Sequence, residues 1–256
     1  MALKRTTMLA VMVAVDWQDW GRMNVVRRQI VRTPYGDPSG PLVVGEIGGA
    51  LCSLPRHGPG HVLAPHRVNY RANIWALREC WRHRYCRRCC RGDRCKRRSG
   101  VIAVPDQIID YTYGREHTYC DGSDRQVTHV DFTRPYSDEL RDQVLSAAEG
   151  ASVAVVAGGV YGATQGPRLE TAAEIVRMQR RRHIGGHDRH AGGGVGARVV
   201  FALCTLCAAS NWAAGCGDST RAISHANIDA TLDLAIGRVQ EIVAHLAMAY
   251  HKRTAN

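Results

Sequence analysis

The chain predicts an α/β fold in a single domain, and three observations carry that prediction. Short apolar runs of strand length alternate with segments of helical periodicity. The 256 residues suffice for one sizeable core. No linker and no internal repeat divides them.

The elements follow in order. Met8–Val15 is apolar and follows Lys4-Arg5, as a signal peptide would. Asp16 ends the run and no small-residue cleavage site follows, so it reads as a buried strand. Val25–Thr33 reads as a strand, Pro34–Gly40 as a turn, and Leu42–Leu54 as a hairpin around Gly48-Gly49. Pro55–His61 is a glycine-rich loop with a cation and imidazoles. Asn69–Cys80 predicts a helix with Ile74, Trp75 and Leu77 on its apolar side. Val101–Val104 is a short strand and Pro105–Gly122 an ordered loop. Ser137 caps a helix running to about Ala148, and Ala151–Ala157 is a buried strand. Thr171 caps a helix through Met178, with Glu174 three residues on completing a capping box. The longest helix begins at Ser224. In it Ile228, Leu232, Ala235, Val239, Ile242, Leu246 and Tyr250 recur at helical spacing.

The net charge is +11, which would ordinarily imply an anionic partner. Its distribution argues against that. Arg82–Arg98 holds nine Lys/Arg and one Asp, and Arg180–Arg198 holds five Arg and one Asp. These blocks carry +8 and +4 of the +11, which leaves −1 for the rest. No aromatic-interleaved basic motif accompanies them, so a nucleic-acid partner is not expected. No apolar run reaches transmembrane length, so neither is a membrane. Five of the ten cysteines (Cys80, Cys86, Cys89, Cys90 and Cys95) lie in or beside the first block, and Cys204 and Cys207 follow the second. Their spacing does not fit paired zinc knuckles, and a disulfide framework does not suit a chain of this size. The competing class is a basic, cysteine-rich nucleic-acid or zinc-binding protein.

Two stretches carry candidate chemistry. Gly159–Thr171 predicts a strand-to-helix junction with Arg168 and Glu170 at the helix start. Ser210–Gly215 puts Asn211 on a small-residue loop. Arg56-His57, on the glycine-rich loop, suits an oxyanion through charge-assisted donors and close backbone approach. Taken singly, each has an ordinary alternative. Glu170 is equally a charge favoured by the helix dipole, Asn211 a turn residue, and Arg56-His57 incidental surface charge.

The surrounding words decide between these. LPRHGPGH, PHRVNYRANIWAL, PDQIIDYTYGREHTYCDG, TQGPRLETAAEI and SNWAAG cover well over half the chain in order. They resemble the trimeric purine nucleoside phosphorylase and methylthioadenosine phosphorylase family, and most of all its branch acting on S-methyl-5'-thioinosine. The resemblance implies one phosphorylase/hydrolase-like domain over residues 1–256, with a mixed central β-sheet flanked by helices. It implies a pentosyltransferase that uses inorganic phosphate as co-substrate and needs no cofactor or metal. Phosphate attacks the anomeric carbon of a 6-oxopurine nucleoside through an oxocarbenium-like state. The products would be hypoxanthine and 5-methylthioribose 1-phosphate, in purine and methylthio salvage. Arg56 and His57 would bind phosphate. Glu170 and Asn211 would be the catalytic, base-binding pair: Glu170 accepts from the purine N1–H, and Asn211 bonds around N7 and O6. His129 would reach a neighbouring subunit's 5' pocket in a cytoplasmic homotrimer. The adenine-specific branch has aspartates where Asn211 and Ala213 align and a serine where Glu170 aligns, so this pattern favours a 6-oxopurine. Methylthioadenosine or general purine nucleoside phosphorylase is the near alternative, and a catalytically dead homologue the distant one.

Three family elements are absent: a glycine-rich loop after the first strand, an AVGG-like turn and a GMTGMPEA-like segment. In their places stand Met12–Arg22, Tyr85–Arg98 and His183–Cys207. The expectation is that residues 12–22, 85–98 and 183–207 are translated out of frame. The genetic code tests this from the protein alone. Read one frame over, codons for Met12–Gly21 admit GGSGLARLG, those for Arg84–Asp93 admit VIAVDAVGGI, and those for Gly186–Val199 admit GMTGMPEAALAREL.

Overall fold

The computed structural model describes residues 8–14, 23–79, 85–91, 100–120, 129–179, 183–186, 202–217 and 225–255. The large sheet contains β1 (Leu9–Val13), β2 (Asn24–Gln29), β3 (Leu42–Glu46), β4 (Ala50–Pro55), β5 (Tyr85–Arg91) and β6 (Ile102–Val104). Two later strands complete it: β8 (Val155–Ala157) and β11 (Ala202–Ala208). Its order is β2-β3-β4-β1-β5-β11-β6-β8. The centre is parallel, while β2, β3 and β4 form an antiparallel meander and β11 runs antiparallel to β6. This is the expected mixed sheet. A second, parallel sheet joins β7 (Gln107–Asp110), β9 (Val160–Ala163) and β10 (His183–Gly186) in the order β10-β9-β7.

The core follows from strand alternation. Leu9, Val11 and Val13 pack on one face with α2 (Asp138–Gly150) and α4 (His225–Ala255). Ala10 and Met12 pack on the other with α1 (Tyr70–Glu79). All five are buried, as a central parallel strand requires. Ala235, Val239, Ile242, Leu246 and Tyr250 of α4 are buried at the predicted spacing, with Leu232 half-buried. The side chain of Ile228 is outside the described set. The turn at Gly48-Gly49 seats against α4. A Cβ at Gly49 would lie 2.5 Å from the Ala247 carbonyl oxygen, so no side chain fits there.

Local chemistry sets the helix starts. The Asn69 Oδ1 accepts from the Ala72 amide (3.0 Å) and the Ser137 Oγ from the Leu140 amide (3.3 Å). At α3 (Ala172–Gln179) the predicted capping box is present. The Thr171 amide donates to Glu174 Oε2 (2.7 Å), and the Glu174 amide donates to Thr171 Oγ1 (3.2 Å).

Two expectations change. The segment 105–122 contains a strand, β7, which pairs with β9 across more than fifty residues of sequence. Its residues are half-buried or exposed, so no apolar run announces it. The strand expected over 151–157 shortens to Val155–Ala157. Residues 151 and 152 instead close the C-terminus of α2, with Ser152 at φ 55°. Among the described residues it is an edge strand that pairs with β6 alone, and its side chains stay partly exposed. Among the described residues, no helix is long and apolar enough to cross a membrane.

Candidate active site

Glu170 stands at the end of a loop that leaves β9 and enters α3. It is 7% exposed and lines a cavity with Tyr111, Tyr113, Thr164 and Met178. The Thr164 hydroxyl donates to Glu170 Oε1. On the outer wall, Arg168 forks onto Glu174, its Nη1 at 2.9 Å from Oε2 and its Nη2 at 2.7 Å from Oε1. The Arg168 guanidinium foremost, and the Thr171 amide next, hold the Glu174 carboxyl down to about 2. The same pairing pushes the ionisation of Arg168 further up. Two acids four residues apart thus have separate duties. Both line the cavity, but Glu174 is consumed by capping and by Arg168, whereas Glu170 is engaged by Thr164.

Arg115 fixes the loop between β9 and Glu170. Its Nε donates to Gln165 Oε1 (2.9 Å), and its Nη2 donates to the Thr164 carbonyl oxygen (3.3 Å) and to that of Gln165. Its Nη1 donates to the Tyr70 hydroxyl (3.1 Å), and the guanidinium lies over the Tyr70 ring at 5.4 Å. The Tyr70 hydroxyl in turn donates to the Pro65 carbonyl oxygen (3.2 Å).

Asn211 lies on the loop after β11. The Ser210 hydroxyl donates to its Oδ1 (2.9 Å), and its Nδ2 donates to the Trp212 carbonyl oxygen (2.7 Å). This loop packs on α3 two residues beyond Glu170. Ala213 is buried with Ile175 and Met178. Gly215, at φ +77°, approaches so closely that a Cβ there would lie 2.8 Å from the Ala172 Cβ. The small residues of the run are what allow the Asn211 loop to meet the helix that Glu170 introduces.

Arg56 and His57 follow β4 and are 0% and 1% exposed. Arg56 Nε (3.1 Å) and Nη2 (2.8 Å) both reach His57 Nε2. That leaves the ring proton on Nδ1, which donates to the Leu63 carbonyl oxygen at 2.7 Å. His61 stacks on His57 with ring centroids 4.3 Å apart. Other backbone expected around phosphate lies in residues 15–22, 92–99 and 187–201, outside the described set. His129 is exposed and does not line the Glu170 cavity. Nearby, the Thr133 hydroxyl and amide lower the Asp131 carboxyl.

The structure therefore joins the Glu170 and Asn211 loops through α3, and joins Arg56 to His57 directly. Sequence reasoning missed Thr164, Arg115 and Tyr70 as site residues. All three stand inside the words that carried the family resemblance, but their roles arise from contacts that local pattern does not encode. Among the described residues, no three His, Cys, Asp or Glu side chains converge as a metal site would require.

The mixed α/β sheet places an acid and an amide on neighbouring loops, and comparison with known proteins supplies the class. Residues 96–247 match the model of the phosphorylase superfamily. A probable S-methyl-5'-thioinosine phosphorylase of Xanthomonas campestris pv. campestris is 41% identical over 242 residues, covering 93% of this chain and 96% of the relative. A 6-oxopurine nucleoside phosphorylase of Pyrococcus furiosus is 41% identical over 156 residues, 58% of each chain. Among solved structures, a methylthioadenosine phosphorylase from an antarctic soil metagenomic library superposes with a TM-score of 0.86 at 26% identity, over 95% of this chain and 86% of that one. The chain belongs to the phosphorylase superfamily, and it is an enzyme of pentosyltransferase type.

Proposed function

We propose that the chain catalyses phosphorolysis of a 6-oxopurine nucleoside, S-methyl-5'-thioinosine, giving hypoxanthine and 5-methylthioribose 1-phosphate. The carrying observation is Glu170: nearly buried, facing a cavity, with one carboxylate oxygen on Thr164 and Oε2 not so engaged. A 6-oxopurine offers N1–H to that acceptor, and neutral adenine does not. Asn211 would bond to N7 and O6, stabilising the base as it leaves. Arg56, released from His57, would hold the phosphate that attacks the anomeric carbon. The high identity to a probable S-methyl-5'-thioinosine phosphorylase over nearly the whole chain supports the methylthio substrate. The homotrimer, with His129 reaching a neighbour's 5' pocket, and the cytoplasmic location carry over from the family resemblance. The exposure of His129 fits such a reach.

The same proposal treats the chain as one domain over residues 1–256, with residues 12–22, 85–98 and 183–207 out of frame. Strand β5 supports it. Its backbone pairs parallel with both β1 and β11, at Arg87↔Val11 and Arg87↔Cys204. Such a strand ordinarily reads as an apolar run, yet Tyr85–Arg91 contains three arginines. The other frame supplies VIAVDAV for this place. The superfamily match also begins only at residue 96, next to the end of the basic block. An uninterrupted frame across all three segments on resequencing the gene would sink this part.

A phosphate-dependent assay with S-methyl-5'-thioinosine, inosine and methylthioadenosine tests the whole. It should be run on the chain as written and on its frame-corrected form. Turnover of methylthioadenosine but neither 6-oxopurine nucleoside would overturn the reading.

A further inference from the structure

The geometry points to Thr164 as the residue that sets which 6-oxopurine Glu170 prefers, a role that rests on the functional reading above. A carboxylate has two oxygens with about four lone-pair sites between them. In this chain the Thr164 hydroxyl occupies Oε1, and Oε2 remains for the base. Hypoxanthine presents a single donor on this edge, N1–H. Guanine presents two adjacent donors, N1–H and the exocyclic 2-amino group. A carboxylate open at both oxygens takes such a pair as a fork, while one with an oxygen already engaged matches a single donor. Guanine must therefore share Oε1 with Thr164 or displace it.

Displacement costs the hydroxyl its hydrogen bond to Glu170, and the backbone that presents it is held from behind. Its carbonyl oxygen accepts from Arg115 (3.3 Å), and the adjoining Gln165 is gripped by Arg115 through both carbonyl and side chain. Arg115 thus fixes the backbone that presents the hydroxyl to Glu170. Thr164 never touches the reacting bond. It is a positioning and selectivity residue that acts through Glu170.

The test is equilibrium binding of hypoxanthine to the full chain, with guanine as the displacing ligand, at neutral pH and without phosphate. Free bases avoid dependence on the phosphate end. The wild-type chain should prefer hypoxanthine by about tenfold, the order of one hydrogen bond. Thr164→Val should erase most of that preference, with hypoxanthine weakened and guanine tightened. Thr164→Ser, which keeps the hydroxyl, should restore it. A merely structural role would weaken both bases together and leave their ratio alone. If Thr164→Val fails to fold, Thr164→Ala, which only removes atoms, serves for the same ratio. An unchanged ratio in the hydroxyl-free variant overturns this inference alone. A wild-type chain that binds neither base overturns the functional reading and this inference with it.

Discussion

The base end and the phosphate end of the candidate site are built on different principles. At the base end the polar groups have local partners, and Glu170 lines the cavity with Oε1 already engaged. Thr164 takes Oε1, Ser210 and the Trp212 carbonyl orient Asn211, and Glu174 is spent on capping and on Arg168. At the phosphate end the two expected ligands are partners of each other, Arg56 donating to His57. The base end is thus preset by two contiguous segments. The expected phosphate end would draw on donors scattered through the chain, and an anion there would meet an Arg56 already engaged with His57. A site assembled from distant segments is exposed to damage in any one of them, while a site made from one loop and one helix start survives.

Five predictions test this contrast, beginning with the largest effect. Restoring the family frame in residues 12–22, 85–98 and 183–207 should raise phosphorolysis by about 10³-fold or more, because losing even one preorganised donor commonly costs about 10²–10³. Equal rates for the two forms would remove the contrast. Next, Glu170→Ala should lower kcat/KM for inosine-type substrates by about 10–100-fold, the size of a charge-assisted hydrogen bond. Phosphate affinity should barely move. Third, Arg56→Lys should raise the KM for phosphate by about tenfold through loss of the fork, with hypoxanthine affinity unchanged. A loss of hypoxanthine affinity measured without phosphate would contradict the separate construction of the two ends.

The smallest effect concerns the support of the base end. Thr171→Ala should lower stability by about 1 kcal/mol in chemical denaturation, the usual worth of an N-cap. Its partner Glu174 gives the pH dependence. Its carboxyl lies at about 2 in the folded chain against 4.5 ordinarily. The depressed value means that its contribution is complete above about 4.5 and is lost as pH falls toward 2. Glu174→Gln should therefore flatten the acid limb of the stability curve. Because the carboxyl is partly exposed, the change should be modest.

Much of this was legible in the sequence where chemistry is local. Ser137, Thr171 and Glu174 announced their helices, and the spacing from Ala235 to Tyr250 announced a buried face. β7 was not legible because its partner lies more than fifty residues away and its own residues are half-exposed. β5 was hidden because Tyr85–Arg91 has the composition of a solvated segment. In the site, Glu170, Asn211, Arg56 and His57 were named from their words. Thr164 needed the closed loop to acquire its role, and Arg115 acts on residues fifty positions distant.

The Arg115 contacts extend beyond the base loop. Through Tyr70 the same side chain reaches Pro65, the far margin of the segment that begins with Arg56 and His57. One guanidinium is therefore a strut common to both ends. Stiffening of either end by its ligand would lower the entropy that the other must still lose on binding. Such synergy would be reciprocal by linkage: whatever factor phosphate added to hypoxanthine affinity, hypoxanthine would add to phosphate affinity.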